Sequence, residues 1–108
     1  MNFNQLLEAV RGNPDAVSIP PSWAQGRAAF GGLMAAMVYE AMRLKLSDSR
    51  PVRSLAISFV APAAADVPIR FEVEVLREGK AVSTLLGRAV QDGQVVTLVQ
   101  GNFGAGRP

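Results

Sequence analysis

Few residues in this chain are of a type that does acid–base or nucleophilic chemistry. Its 108 residues include no histidine and no cysteine. That excludes a Ser-His-Asp arrangement, a histidine general base, histidine- or thiolate-bound metals and disulfides. What remains is nine carboxylates, Tyr39, and water held by polar side chains. Two places in the sequence stand out. In "GRAAFGGLMAAM", Gly26 to Met37, the pair Gly31 and Gly32 precedes the most apolar run, where an ordinary helix takes a Ser, Thr, Asp or Asn cap. Glycine offers no side chain, so either the backbone comes very close to something there or its amide groups stay free. The second place is Gln100. If Asp92-Gly93 is a two-residue turn, Gln100 pairs opposite Leu85 and shares a face with Gly87, Ala89, Val96 and Leu98, where a polar amide needs a partner.

The charges narrow the partners. Eleven basic residues against nine acidic ones leave a net charge of +2, and the arginines are scattered rather than clustered. Scatter of this kind makes a solvated surface, not a nucleic-acid footprint. The longest apolar run, Ala28 to Tyr39, is shorter than the ~20 residues of a membrane helix. "MNFNQLLEAV" has no basic region ahead of an apolar one, so no secretory signal is expected. With 49% hydrophobic and 19% charged residues, the composition is that of one globular domain. A soluble, cytoplasmic protein that binds neither nucleic acid nor membrane is the expectation.

The elements that must position these residues follow from periodicity. Asn4 to Arg11 carries Leu6, Leu7 and Val10 at helical spacing and stops at "GNP". "AVSIPPSW" reads as extended, because Pro20 and Pro21 fit neither a helix interior nor a central strand. Leu33 to Leu46 is apolar nearly all round, which predicts a buried helix; Glu40 is the one charge in its first ten residues. After "SDSRP" the period becomes 2. Leu55, Ile57 and Phe59 alternate with Ser54, Ala56 and Ser58, and the small-residue row is expected to pack closely on the helix. Ile69, Phe71, Val73 and Val75 alternate with Arg70, Glu72 and Glu74; those two carboxylates and Asp66 read as solvated. A third strand, Ala81 to Gln91, meets a fourth, Gln94 to Phe103, across Asp92-Gly93. A single buried helix followed by four antiparallel strands is covered only if the sheet curls around it. The prediction is an α+β domain over residues 1–108, with a short helix within 1–12 and the start of a linker or C-terminal tail at 104–108.

The order "FGG", "RPVRSL", "VPIRFEVEVLREGK" and "VQDG" resembles the N-terminal half of the thioesterase-like family that includes acyl-CoA thioesterase II. The resemblance covers about Trp23 to Phe103. It implies the hotdog fold, a central helix wrapped by an antiparallel sheet, repeated twice in one chain. It also implies hydrolysis of acyl-coenzyme A thioesters, with no metal or cofactor. In such proteins backbone amides at the start of the hotdog helix point at the thioester carbonyl, and a carboxylate further along, helped by Thr or Ser and Gln, activates water. A helix N-terminus carries unpaired N–H groups and partial positive charge, as an oxyanion requires. With this resemblance, the candidate site residues are Gly32, Gln100 and Glu40 for catalysis and Gly31, Tyr39, Arg53 and Ser54 for substrate binding, with a polar break or an interface contact as the other reading of Glu40. Arg53 or Arg27 would meet a coenzyme A phosphate. The family's carboxylate position falls on Tyr39, and Glu40 lies ~100° further round the helix. The catalytic acid of double-hotdog members lies in the C-terminal repeat.

The leading expectation is therefore an acyl-CoA thioesterase-like domain, paired with a second hotdog repeat or with further copies of itself, because a single repeat leaves an apolar sheet edge uncovered. A non-catalytic hotdog for assembly or acyl-group binding is the alternative. A hotdog dehydratase or isomerase is disfavoured by the absence of histidine.

Overall fold

The computed structural model describes residues 1–24, 26–46 and 50–104, with the side chains of residues 27–29 outside that description. Helix α1 (Phe3–Gly12) opens with a capping box. The Asn2 side chain accepts from Gln5 N at 2.8 Å, and the Gln5 side chain accepts from Asn2 N at 2.8 Å, so two terminal amides are satisfied reciprocally. Leu6 and Val10 form its buried stripe. The Pro-marked segment is extended only up to Pro20, touching Ile69 through a bridge from Val17; Pro21–Trp23, expected to be extended, forms one 3-10 turn instead, because a proline fits the first position of a helical turn.

Helix α2 (Arg27–Arg43) is the central element. Met34, Met37, Val38 and Met42 are almost fully buried, because the helix lies across the sheet on one side and meets α1 on another. It begins six residues earlier than the apolar run suggested and ends at Arg43. Gly26, at φ 90°, marks the start without offering a side-chain cap.

Four antiparallel strands follow: β1 (Val52–Phe59), β2 (Arg70–Glu78), β3 (Val82–Gln91) and β4 (Gln94–Gly104), in the order β1-β4-β3-β2. All four predicted strands are present. Asp92 and Gly93 both take positive φ, 49° and 76°, as a two-residue hairpin turn between right-twisted strands requires. Within the hairpin β4 is bulged once. Val90 pairs with Val95 but Ala89 pairs with Thr97, so Val96 is an extra residue, a bulge.

The bulge corrects the predicted register. Gln100 pairs with Leu86 on one side and Ala56 on the other, not with Leu85, and lies exposed on the outer face. Alternation also reverses the predicted faces of β1. Leu55 stands against the Cβ position of Gly101 and Phe59 against that of Gly31, so the large residues take the helix side. Ser54 and Ser58 therefore look outward. Ser54 Oγ accepts from Asn102 Nδ2 at 2.9 Å, and Asn102 Oδ1 accepts from Thr84 Oγ1 at 2.6 Å, a polar ladder across three strands.

The sheet comes close to α2 at Gly87. A Cβ there would lie 2.6 Å from Val38 Cγ1 and 2.8 Å from the Met42 side chain. Only a glycine lets the helix sit this close to the strands.

Candidate functional site

α2 has two unlike ends. At its C-terminal end, Tyr39 stacks on Phe103 with centroids 6.0 Å apart and planes 23° apart. Beside it the Glu40 carboxylate, 6% exposed, has both oxygens engaged. Oε2 accepts from Arg11 Nη1 at 3.1 Å, and Oε1 accepts from Arg43 Nε at 3.0 Å. The pair with Arg11 fastens α1 to α2. A carboxylate held in this way by two guanidinium groups has both oxygens committed to charge-assisted hydrogen bonds.

At the N-terminal end lies a cleft of about 550 Å³. Phe30, Gly31 and Met34 of α2 form one wall, Phe59 of β1 and residues 60–63 the other, and Thr97 of β4 the base. The glycine pair divides here. A Cβ on Gly31 would approach the Phe59 ring at 3.1 Å, so this glycine makes room for an aromatic ring from a strand 28 positions away. Gly32 is exposed and has no atom within 4 Å of its Cβ position. Neither glycine caps the helix. Phe30 N already donates to Gly26 O at 3.1 Å, so the amides of Gly31 and Gly32 lie in the second turn, inside the i→i−4 ladder. The N–H groups that the ladder leaves over are those of residues 27–29.

The second wall is held by β4 and by one side chain. Val60 N and Ala61 N both donate to Val96 O, at 2.9 and 3.3 Å, so the bulge residue anchors the segment that leaves β1. Gln91, 6% exposed, accepts from Ala64 N at 2.8 Å and donates to the carbonyls of Ala64 (2.7 Å) and Val67 (3.0 Å). Such a fully bonded buried amide fixes the loop that frames the cleft.

Among the residues singled out from sequence, the cleft takes in Gly31 alone. Glu40 lies nine residues further along α2, about 13 Å by helical rise. Tyr39 faces Phe103, Gln100 is on the outer face, and Arg53 and Ser54 stand at the far end of β1 from Phe59. Arg27 lies where side chains are outside the description. Sequence reasoning missed Phe30, Phe59, Thr97 and Gln91. Phe59 was legible as one of an apolar row, but its meeting with Gly31 depends on the crossing of strand and helix. Thr97 reaches the helix side through the bulge, which leaves no mark in a period-2 pattern.

A central helix laid across a curled, open antiparallel sheet, with a cleft at the helix N-terminus, defines a hotdog domain of the thioesterase superfamily. Residues 19–104 match the acyl-CoA thioesterase N-terminal domain family, and the chain belongs to that family. It is 32% identical to acyl-CoA thioesterase 2 of Haemophilus influenzae over 77 residues, 71% of this chain and 27% of that protein. Among solved structures it resembles an acyl-CoA thioesterase II from Mycobacterium marinum (TM-score 0.70, 28% identity, 73% of this chain and 31% of the other). It also resembles a hotdog-fold protein of unknown function from Alicyclobacillus acidocaldarius (TM-score 0.66, 28% identity, 72% and 29%). The chain spans about a quarter of the length of the curated relatives it matches. Among the described residues no helix is long and apolar enough to cross a membrane.

Proposed function

We propose that this domain binds the acyl group of a fatty acyl-coenzyme A in the cleft between α2 and β1, and takes part in thioester hydrolysis together with a second hotdog domain. One observation carries the reading: an apolar cleft opens beside the uncapped N-terminus of α2. An acyl chain seated between Phe30, Met34 and Phe59 brings its thioester toward the end of the helix, where the leftover amides of residues 27–29 and the helix dipole suit a carbonyl oxygen gaining negative charge. For Gly32 to donate its own amide, the first turn of α2 would have to unwind.

The domain supplies binding rather than the base. Glu40 is held by Arg11 and Arg43 away from the cleft, and Tyr39 takes the position where the family carries its carboxylate. The second domain completes the site, as a further hotdog repeat or a second copy of the chain. β1 is where it docks: an edge strand whose eight residues are all exposed, with Leu55, Ile57 and Phe59 at 40%, 43% and 62%. The activity needs only water as co-reactant, and a coenzyme A thioester as substrate is compatible with a cytoplasmic location.

Calorimetric titration of decanoyl-coenzyme A into the chain, alongside a thiol-release assay, tests this. Saturable binding that is lost in Ala63→Trp, which fills the cleft, is expected, with thiol release unchanged between the native chain and Glu40→Ala. Absence of binding, or binding indifferent to Ala63→Trp, overturns the reading.

A further inference from the structure

The base of the cleft carries a hydroxyl that nothing in the fold uses. Thr97 is 2% exposed, and among the described residues its side chain makes no hydrogen bond. Among the described residues no fully enclosed polar side-chain atom lacks a partner. The Thr97 oxygen is therefore not fully enclosed, and the residue lines the cleft. Its placement is deliberate in backbone terms. The Val96 bulge shifts β4 by one residue, so that Thr97 stands between Phe59 of β1 and Ala89 of β3 on the helix side of the sheet. The other three buried polar or charged residues, Glu40, Ser83 and Gln91, all have partners within the chain.

A hydroxyl that loses its water and gains no partner costs free energy, and the rest of this cleft is built from Phe30, Met34, Phe59 and small apolar residues. Pockets of this size are mostly apolar, with a few polar groups that fix orientation and choose the ligand. A plain hydrocarbon chain at the base of the cleft would displace water from Thr97 and give nothing back. A chain with an oxygen at that depth would replace the water bond, and a threonine hydroxyl both donates and accepts, so a hydroxyl or an oxo oxygen satisfies it.

We infer that Thr97 makes this cleft selective for acyl chains bearing an oxygen substituent over unsubstituted chains of equal length. The inference rests on the reading of the cleft as an acyl site and adds a residue that sets specificity within it. Thr97 acts through one hydrogen bond to the chain, away from the thioester, and has no part in bond cleavage.

The test measures Kd by calorimetry for decanoyl-coenzyme A and its 3-, 6- and 10-hydroxy derivatives, and for the four corresponding free acids, against the native chain, Thr97→Val and Thr97→Ser. At least one hydroxylated chain should bind the native protein about fivefold tighter than the plain chain, the scale of one neutral hydrogen bond. Thr97→Val should remove that preference while strengthening binding of the plain chain, and Thr97→Ser should retain it. Equal affinities across the native series overturn the inference, and so does a preference that survives Thr97→Val. Equal weakening of plain and hydroxylated chains by Thr97→Val also overturns it, because the hydroxyl would then serve a group common to both. The free acids separate the two proposals. Binding of hydroxylated acids without any binding of the coenzyme A esters sinks the acyl-coenzyme A reading and leaves the selectivity; binding of the esters without selectivity does the reverse.

Discussion

The two ends of α2 show one helix doing two jobs. At the C-terminal end, Val38 and Met42 lie against Gly87, Tyr39 stacks on Phe103, and Glu40 ties α1 to the helix through Arg11. That end is closed: Val38, Met42 and Glu40 are buried, and the carboxylate is paired with two arginines. At the N-terminal end the same helix meets β1 through Gly31 and Phe59, and a cleft remains between them. The difference lies in the strands opposite. The closed end faces the central strands β3 and β4, whose glycines admit the helix closely. The open end faces the edge strand, whose Phe59 has nothing beyond it to press it down. Dense packing specifies the fold and resists change, whereas loose packing at an edge leaves room for a ligand or a partner.

This contrast breaks most readily at Gly87. A methyl group there meets Val38 at 2.6 Å and Met42 at 2.8 Å, so Gly87→Ala should overpack the closed end by about 1–3 kcal/mol. In a domain of this size each kcal/mol lowers the thermal midpoint by roughly 4–8 °C. Differential scanning calorimetry reads the shift, and a midpoint that holds would show that the helix is free to retreat from the sheet.

A smaller effect is expected at Glu40. Glu40→Gln removes the charge between Arg11 and Arg43, whose side chains are 42% and 53% exposed. Water screens both guanidinium groups, so the loss should be about 1 kcal/mol rather than the several expected of an enclosed pair. Hydrogen exchange should report it as faster exchange in α1, with decanoyl-coenzyme A affinity unchanged. Altered affinity would mean that the two ends of the helix are coupled.

Phe59→Ala sharpens the contrast from the other side. At 62% exposure the ring contributes little to stability, and unfolding should move by no more than about 0.5 kcal/mol. Affinity for decanoyl-coenzyme A should fall about tenfold, because the ring is one wall of the cleft. Loss of stability without loss of affinity would reverse the roles assigned to the two ends.

Local pattern was enough for the elements. The period-2 rows of β1 and β2, the Asp92-Gly93 turn and the apolar run of α2 each follow from backbone geometry acting over a few residues, and the motif order from "FGG" to "VQDG" pointed to the family that residues 19–104 match. The start of α2 was misplaced because nothing in "QGRAAF" marks it: Gly26 opens the helix through its backbone angles and offers no capping side chain.

The site was less legible, because each part of it rests on residues distant in sequence. Gly31 was conspicuous, but whether it freed an amide or admitted a neighbour depended on where β1 crosses α2; the neighbour is Phe59. Glu40 looked like a polar break in an apolar helix, and only the docking of α1 turned it into the centre of an ion-pair cluster. Gln100 and Thr97 changed places: one bulged residue, Val96, put the amide outside and the hydroxyl in the cleft. By itself the sequence determined the type and order of the elements, because periodicity and turn chemistry are local. Tertiary structure decided which side chains share the cleft, because a single inserted residue or the crossing of two elements reassigns faces without altering the pattern of either one.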